Sequence, residues 1–213
     1  MKAEIISVGT ELLLGHTINT DAAHVARELS ALGVDLLHAH VVGDNAGRLE
    51  DALREALTRS DLVITTGGLG PTDDDLTKET VARVTGAPLE EHAASLEQLR
   101  EYFGSRPMSA NQCKQAFLPR GSVAFPNAVG TAPGCAVPAG DGKFVILLPG
   151  PPSELLPMLR EHVTPFLQRY AHGAIASFMV HTFGIGEGAA ELRIKDLTGG
   201  ANPTAATYAT EGE

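Results

Sequence analysis

The stretch Thr65-Thr66-Gly67-Gly68-Leu69-Gly70-Pro71-Thr72-Asp73-Asp74-Asp75-Leu76-Thr77-Lys78 carries most of the chemistry this sequence can offer. It follows a short apolar run. Glycines at such a point let the backbone approach a ligand closely, and N–H groups of the loop and the next helix can cradle a phosphate. No Gly-Lys-Ser/Thr follows, so it is not a P-loop, and Gly-Gly-x-Gly is not the dinucleotide spacing. Gly67, Gly68, Gly70 and Thr72 are therefore candidate phosphate contacts. The three aspartates have two readings. Thr72-x-x-Asp75 matches a capping box, and acids in a first helical turn gain about 0.3–1 kcal/mol from the helix dipole. Beside a phosphate cradle, however, they would repel the ligand unless a hard divalent cation sat between. The sharper expectation is a metal-assisted phosphate or pyrophosphate site.

Three other loops offer similar material: Gly9-Thr10-Glu11, Gly43-Asp44-Asn45 and Pro149-Gly150-Pro151-Pro152-Ser153-Glu154. Glu11 and Asp44 are candidate metal or ribose contacts. Ser153 either caps a helix or contacts an anion through its hydroxyl and the helix N-terminus. His38 and His40 share one strand face, where a core-lining or edge pair outweighs a metal site. Gly184 to Gly188 is too short for a dinucleotide fingerprint and reads as a strand-to-helix turn. No Gly-x-Ser-x-Gly elbow and no Cys/His pair for thiol catalysis occur.

These loops need elements to position them. Apolar runs predict strands over 3–8, 34–42, 61–66 and 143–148, each ending at one of the four loops. Helical spacing predicts helices from Asn19-Thr20-Asp21 to a C-cap at Gly33, around Leu49 to Leu57, over 74–84, 90–103 and 108–116, and after Ser153. Strands alternating with helices mean βαβ units, hence an α/β fold with a mainly parallel sheet and helices on both faces. Ligands bind such sheets at the carboxyl ends of the strands, so the four loops should converge on one edge. Beyond about residue 170 the pattern changes to a strand over 177–183 and a helix over 186–197, the start of a small α+β module.

The composition narrows the partners. With 43% hydrophobic and 20% charged residues in 213, the chain has a real core. Sixteen basic against 26 acidic residues give −10, which argues against a nucleic-acid partner. No apolar run approaches about 18 residues, so no membrane span is expected. The N-terminus lacks a signal-peptide pattern, and the two cysteines, Cys113 and Cys135, have no metal-type spacing. A cytoplasmic location is expected.

In order along the chain, Gly9-Thr10-Glu11-Leu12-Leu13-Leu14-Gly15 with Asn19-Thr20, Val41-Val42-Gly43-Asp44-Asn45, the Gly67 to Glu79 loop, Lys114-Gln115-Ala116, Asn127 to Gly134, Leu147 to Glu154 and Phe183 to Glu187 resemble the N-terminal region of the CinA (competence/damage-inducible) family. The resemblance implies a molybdopterin-binding (MoaB/MogA-like) fold over residues 1–170 and a KH-like module opening over 171–213. It also implies that the NMN deamidase domain of full-length members is absent, so no amidase activity is expected. In the related adenylyltransferases an Asp-x-Thr ends the glycine loop, falling here on Asp75 and Thr77, and a second acid falls on Asp44. Their Pro-Gly-Ser-Pro loop falls on Pro149 to Pro152 with Pro151 in place of the serine, which removes a hydroxyl that would hold a pterin phosphate.

The activity implied is metal-dependent hydrolysis of ADP-ribose to AMP and ribose 5-phosphate. Its alternatives are adenylyl transfer to a pterin and non-catalytic nucleotide sensing. On this reading Asp75, Asp44 and Asp74 are catalytic, and Asp75, Asp44 and Glu11 bind Mg²⁺ or Co²⁺, with K⁺ a further candidate. Gly9, Thr10, Glu11, Asn19, the glycine loop with Thr72, Thr77 and Lys78, and Gly150, Ser153 and Glu154 contact the nucleotide. A homodimer is implied as well.

Overall fold

Strand β1 (Lys2–Val8) sends alternate side chains into two separate cores, as period-2 geometry requires of a strand covered on both faces. Ile5 packs with Val25, Leu29, Ile146, Leu155 and Phe166. Ile6 packs with Leu49, Leu53, Val63, Val81 and Leu147. Burying each such side chain is worth about 1.5–3 kcal/mol, which fixes the strand's register.

In this computed structural model, residues 1–171, 173, 175, 177–200 and 202–209 are described, and the chain divides into two units, Met1–Ala176 and Ser177–Glu213. After β1 come α1 (Thr10–Leu13), α2 (Asp21–Ala31), β2 (Asp35–Val42), α3 (Ala46–Arg59), β3 (Leu62–Thr66) and α4 (Thr77–Thr85). Then follow β4 (Leu89–Glu91), α5 (Ala93–Phe103), α6 (Ala110–Cys113), β5 (Phe117–Pro119), β6 (Val123–Phe125), β7 (Gly134–Pro138) and β8 (Phe144–Leu148). The unit closes with α7 (Pro152–Met158), a π-helical turn (Leu159–Val163) and α8 (Thr164–Leu167). The main sheet runs β2-β1-β3-β8-β7-β6. Its first four strands are parallel, and β7 and β6 continue it antiparallel.

The four parallel strands end in register, with Ser7 beside Thr66, Thr66 beside Leu148 and Val8 beside Val42. The four loops therefore emerge together. Backbone bonds tie them at the sheet edge, Gly9 N–H donating to the Val42 carbonyl (2.9 Å) and Gly67 N–H to that of Leu148 (3.0 Å).

Several expected elements differ. The strands β5, β6 and β7 have no counterpart in the sequence pattern, because β5 and β6 are three residues each, too short to show a period, and β7 is buried nearly throughout. Glu90 and Glu91 lie in β4, paired with β5, and the helix expected to start there starts at Ala93, capped by His92. Helix α4 starts at Thr77, so Asp73, Asp74 and Asp75 sit in the loop and not in a first helical turn. The helix expected after Ser153 is capped by Pro151, and Pro157 and Pro165, which lack a backbone donor, accompany its division into three pieces. In the second unit no strand forms over residues 177–183, since a lone strand has no ladder partner. Gly186 there caps α9 (Glu187–Arg193), and α10 (Lys195–Thr198) follows. Among the described residues no helix is long and apolar enough to cross a membrane.

Candidate functional site

The converging loops enclose a cleft of about 560 Å³. The loop after β1 supplies Gly9, Glu11, Leu12 and the run from Thr17 to Asp21, and the loop after β2 supplies Asp44. Gly67 to Pro71 with Asp74 and Asp75 come from the loop after β3, and Pro149 to Pro152 with Glu154 from the loop after β8. Gln115, Thr131 and Ala132 complete the wall.

The glycine loop is built around two left-handed residues. Gly67 has φ +92°, and a Cβ there would lie 2.3 Å from the Val8 carbonyl oxygen. Gly68 has φ +68°, and a Cβ would lie 2.2 Å from Thr77 Oγ1. Thr77 braces this turn, its N–H donating to the Gly68 carbonyl (3.1 Å) and its hydroxyl to the Gly67 carbonyl (2.9 Å). The N–H groups of Gly68, Leu69 and Gly70 have no hydrogen-bond partner among the described residues. Such successive backbone donors make an anion-binding concavity.

The acids are held by their neighbours. Asp75 Oδ2 accepts from the Thr72 N–H (2.9 Å) and from the Thr72 hydroxyl, which closes the loop over Gly70. Asp44 Oδ2 accepts from the Thr10 N–H (2.8 Å) while the Asp44 N–H donates to Thr10 Oγ1 (3.1 Å). That reciprocal pair locks the loop after β1 to the loop after β2. Glu154 Oε2 accepts from Asn127 Nδ2 (2.6 Å), and buried Asn127 in turn folds its own loop by accepting from the Val129 and Gly130 N–H groups.

Residues 4–169 match the family described as a probable molybdopterin binding domain, and residues 177–213 the family described as the damage-inducible protein CinA KH domain. A crystal structure of CinA from Thermoplasma acidophilum, described as of unknown function, is 37% identical, superposes with a TM-score of 0.72 and covers 77% of this chain and 96% of its own. The chain belongs to the CinA family. A CinA-like protein of Desulfovibrio desulfuricans is 77% identical over 213 residues, covering 100% of this chain and 50% of that protein. The chain thus spans about half the length of the curated relatives it matches. Tungsten cofactor synthesizing protein MoaB from Pyrococcus furiosus, at 21% identity and a TM-score of 0.51 over 81% of this chain and 97% of its own, shares the fold. The CinA chain accordingly has a MoaB/MogA-like α/β fold followed by a small C-terminal module.

The CinA cleft gathers most of the residues singled out from the sequence: Gly9, Glu11, Asn19, Asp44, Gly67, Gly68, Gly70, Asp74, Asp75, Gly150 and Glu154 all line it. Five do not. Thr10, Thr72 and Thr77 are braces, holding Asp44, Asp75 and the glycine turn. Lys78 is buried, and its Nζ donates to the carbonyls of Lys114 (3.0 Å) and Gln115 (2.9 Å), with burial pulling its pKa down to about 8. Ser153 is exposed and outside the cleft lining, and the cap before it is Pro151 with Pro152 at the first helical position. Neither proline has an N–H, so this helix start is a poor anion cradle. His38 and His40 stack at 5.8 Å on β2, where His40 Nε2 meets buried Glu4 (3.3 Å), already paired with Arg59.

Asp44, Asp74, Asp75 and Glu11 line one cleft, but among the described residues no three or more His, Cys, Asp or Glu form a cluster able to hold a metal. Such an arrangement would suit a cation that takes one or two carboxylates and draws its other ligands from phosphate and water, as Mg²⁺ usually does.

The sequence reading missed two residues. Asp21 served only as a helix-start signal and Gln115 only as part of a family motif, yet both line the cleft and both are buried. Burial pushes the Asp21 carboxyl up from 3.8 to about 6. An acid whose pKa is raised on folding costs stability above the folded pKa and nothing below the unfolded one. Asp21→Asn is therefore expected to melt above wild type at pH 7 and above, with the gap closing between pH 6 and about pH 3.8. Thermal melts of both ligand-free proteins across that range would show it, and a gap independent of pH would refute it.

Proposed function

We propose that the cleft hydrolyses a nucleotide pyrophosphate, with ADP-ribose giving AMP and ribose 5-phosphate. One observation carries this reading: three unpartnered N–H groups at Gly68, Leu69 and Gly70 share a cleft with carboxylates from three other strand ends. The N–H groups attract a phosphate, the carboxylates repel one, and a pyrophosphate brought in with a divalent cation satisfies both.

In this mechanism the Gly68–Gly70 backbone fixes one phosphate against the sheet edge. Positioning of that kind supplies much of the barrier reduction in phosphoryl chemistry. Asp75 and Asp44, held by Thr72 and Thr10, line the cleft with Glu11, and one or two of these carboxylates would hold the cation. When bound, Mg²⁺ or Co²⁺ neutralises the pyrophosphate oxygens and acidifies a coordinated water. On this reading Asp74, on the same loop and lining the cleft, orients the attacking water. Water adds to one phosphorus, the bridging P–O bond breaks, and the bridge oxygen leaves with the other phosphate.

The test is a product assay with ADP-ribose, with and without Mg²⁺ or Co²⁺, separating AMP by chromatography and detecting ribose 5-phosphate. Stoichiometric, metal-dependent release of both products supports the reading. Metal-assisted binding of ADP-ribose with no AMP formed would replace it by nucleotide sensing.

A further inference from the structure

Five buried side-chain atoms have no hydrogen-bond partner among the described residues. Two belong to residues of the cleft, Asp21 Oδ1 and Gln115 Oε1. Both are oxygens, and both side chains are more than nine-tenths buried, with exposures of 9% and 2%. The other three, on Glu79, Thr80 and Thr164, belong to residues outside the cleft lining. Buried polar atoms are nearly always paired, so an orphan in a cleft calls for a partner that arrives with the ligand.

The chemistry of the two orphans limits that partner. A carboxylate oxygen and an amide carbonyl only accept, so neither can receive a phosphate. They require O–H or N–H donors from an uncharged part of the ligand. Both sit on backbone that its neighbours fix. Asp21 opens the 11-residue helix α2, where Asn19 Oδ1 accepts from the Ala22 N–H and Asn19 Nδ2 donates to Ser7 Oγ (2.9 Å). Gln115 lies in a 3₁₀ turn whose carbonyls are gripped by the buried ammonium of Lys78. Lys78 is thus a positioning residue behind the wall.

We propose that Asp21 and Gln115 form the sugar subsite of the cleft, accepting hydrogen bonds from the hydroxyl groups of a ribose. A carboxylate receiving ribose hydroxyls is a common solution in nucleotide sites, because the alternative is a buried charge without a donor. The cleft is then divided by polarity. Backbone donors at Gly68 to Gly70 take the phosphates, and side-chain acceptors at Asp21 and Gln115 take the sugar. The assignment rests on the nucleotide reading above and adds to it a requirement for sugar hydroxyls.

Calorimetric titration with ADP and with 2′,3′-dideoxy-ADP, with Mg²⁺ present throughout, separates the two. Wild type is expected to bind ADP about tenfold or more tighter than the dideoxy analogue. In Asp21→Ala that preference should fall to about twofold or less, and in Gln115→Met it should narrow, the dideoxy affinity changing little in either. Asp21→Leu, which keeps the branched shape and removes both acceptor oxygens, serves should the alanine variant fail to fold. A preference unchanged in the variants, or absent from wild type that binds both nucleotides, overturns the sugar subsite alone. Failure of wild type to bind either nucleotide overturns the nucleotide reading and the subsite with it. Retention of K⁺ or Mg²⁺ by nucleotide-free wild type, lost in Asp21→Ala, would make the pair a cation site and also overturn the assignment.

Discussion

Asp75→Asn is expected to lower metal-dependent AMP release by about 100-fold or more while leaving the melting temperature nearly unchanged. The two halves of that expectation have different origins. The structural role of Asp75 is to accept from the Thr72 N–H at 2.9 Å and from the Thr72 hydroxyl. An asparagine carbonyl accepts the same bonds, so the loop keeps its shape over Gly70. What is lost is the negative charge that would hold a cation against the pyrophosphate. Asp73→Asn is the matching control. Asp73 belongs to the same acidic run but is exposed and outside the cleft lining, so its turnover should stay within about twofold of wild type, as surface substitutions usually do. Initial rates of AMP formation at saturating Mg²⁺, with melts on the same samples, give both readouts. Near-normal turnover in Asp75→Asn would remove Asp75 from the chemistry, and equal losses in both variants would reduce the effect to the net charge of the loop.

The acidic run by itself does not separate Asp73 from Asp75; only the family resemblance singles out Asp74 and Asp75. Three adjacent acids after Thr72 read either as a capped first turn or as metal ligands, and the capped first turn does not form. Helix α4 waits until Thr77, and Asp75 folds back on Thr72 within the loop. The parallel half of the sheet was legible because β1, β3 and β8 are nearly wholly buried apolar runs, and their ends fixed which loops would meet. The antiparallel strands were not, since β6 in the main sheet and β5 in a separate pair with β4 are three residues long and are stabilised by partners elsewhere in the chain. The same distinction governs the site. Glycines and acids at strand ends declare themselves by type, so it was legible that Gly67, Gly68, Asp44 and Asp75 would share a cleft. Thr10, Thr72 and Thr77 have the residue types of ligand contacts, yet in the fold their hydroxyls and N–H groups hold the backbone and the acids. Asp21 and Gln115 were passed over because a helix-start acid and a turn glutamine are ordinary in sequence. Only burial without a partner sets them apart.

Gly67→Ala is expected to destabilise the folded chain by about 3 kcal/mol or more, enough to remove much of the margin of a typical domain. Two independent penalties meet at this position. Its φ of +92° lies in a region that L-residues rarely adopt, and the added Cβ would fall 2.3 Å from the Val8 carbonyl oxygen. That oxygen is backbone at the end of the central strand β1, so it has no rotamer by which to yield. Relief by backbone movement is blocked on the other sides as well. The Gly67 N–H is bonded to the Leu148 carbonyl at 3.0 Å and its own carbonyl accepts from Thr77, while a Cβ on Gly150 would approach Gly67 Cα to 3.3 Å. Any shift large enough to admit a methyl group therefore pulls on β1, β8 and α4 together. Gly47→Ala isolates the effect. Gly47 lies in the first turn of α3, where a Cβ meets only Asn45 Oδ1 at 3.5 Å, and alanine there should be neutral or stabilising by up to about 1 kcal/mol. Urea titrations of the two variants against wild type measure both shifts. A midpoint for Gly67→Ala close to wild type would mean that the loop has a second backbone path past Val8, and the rigid phosphate cradle on which the proposed chemistry depends would have to be given up with it.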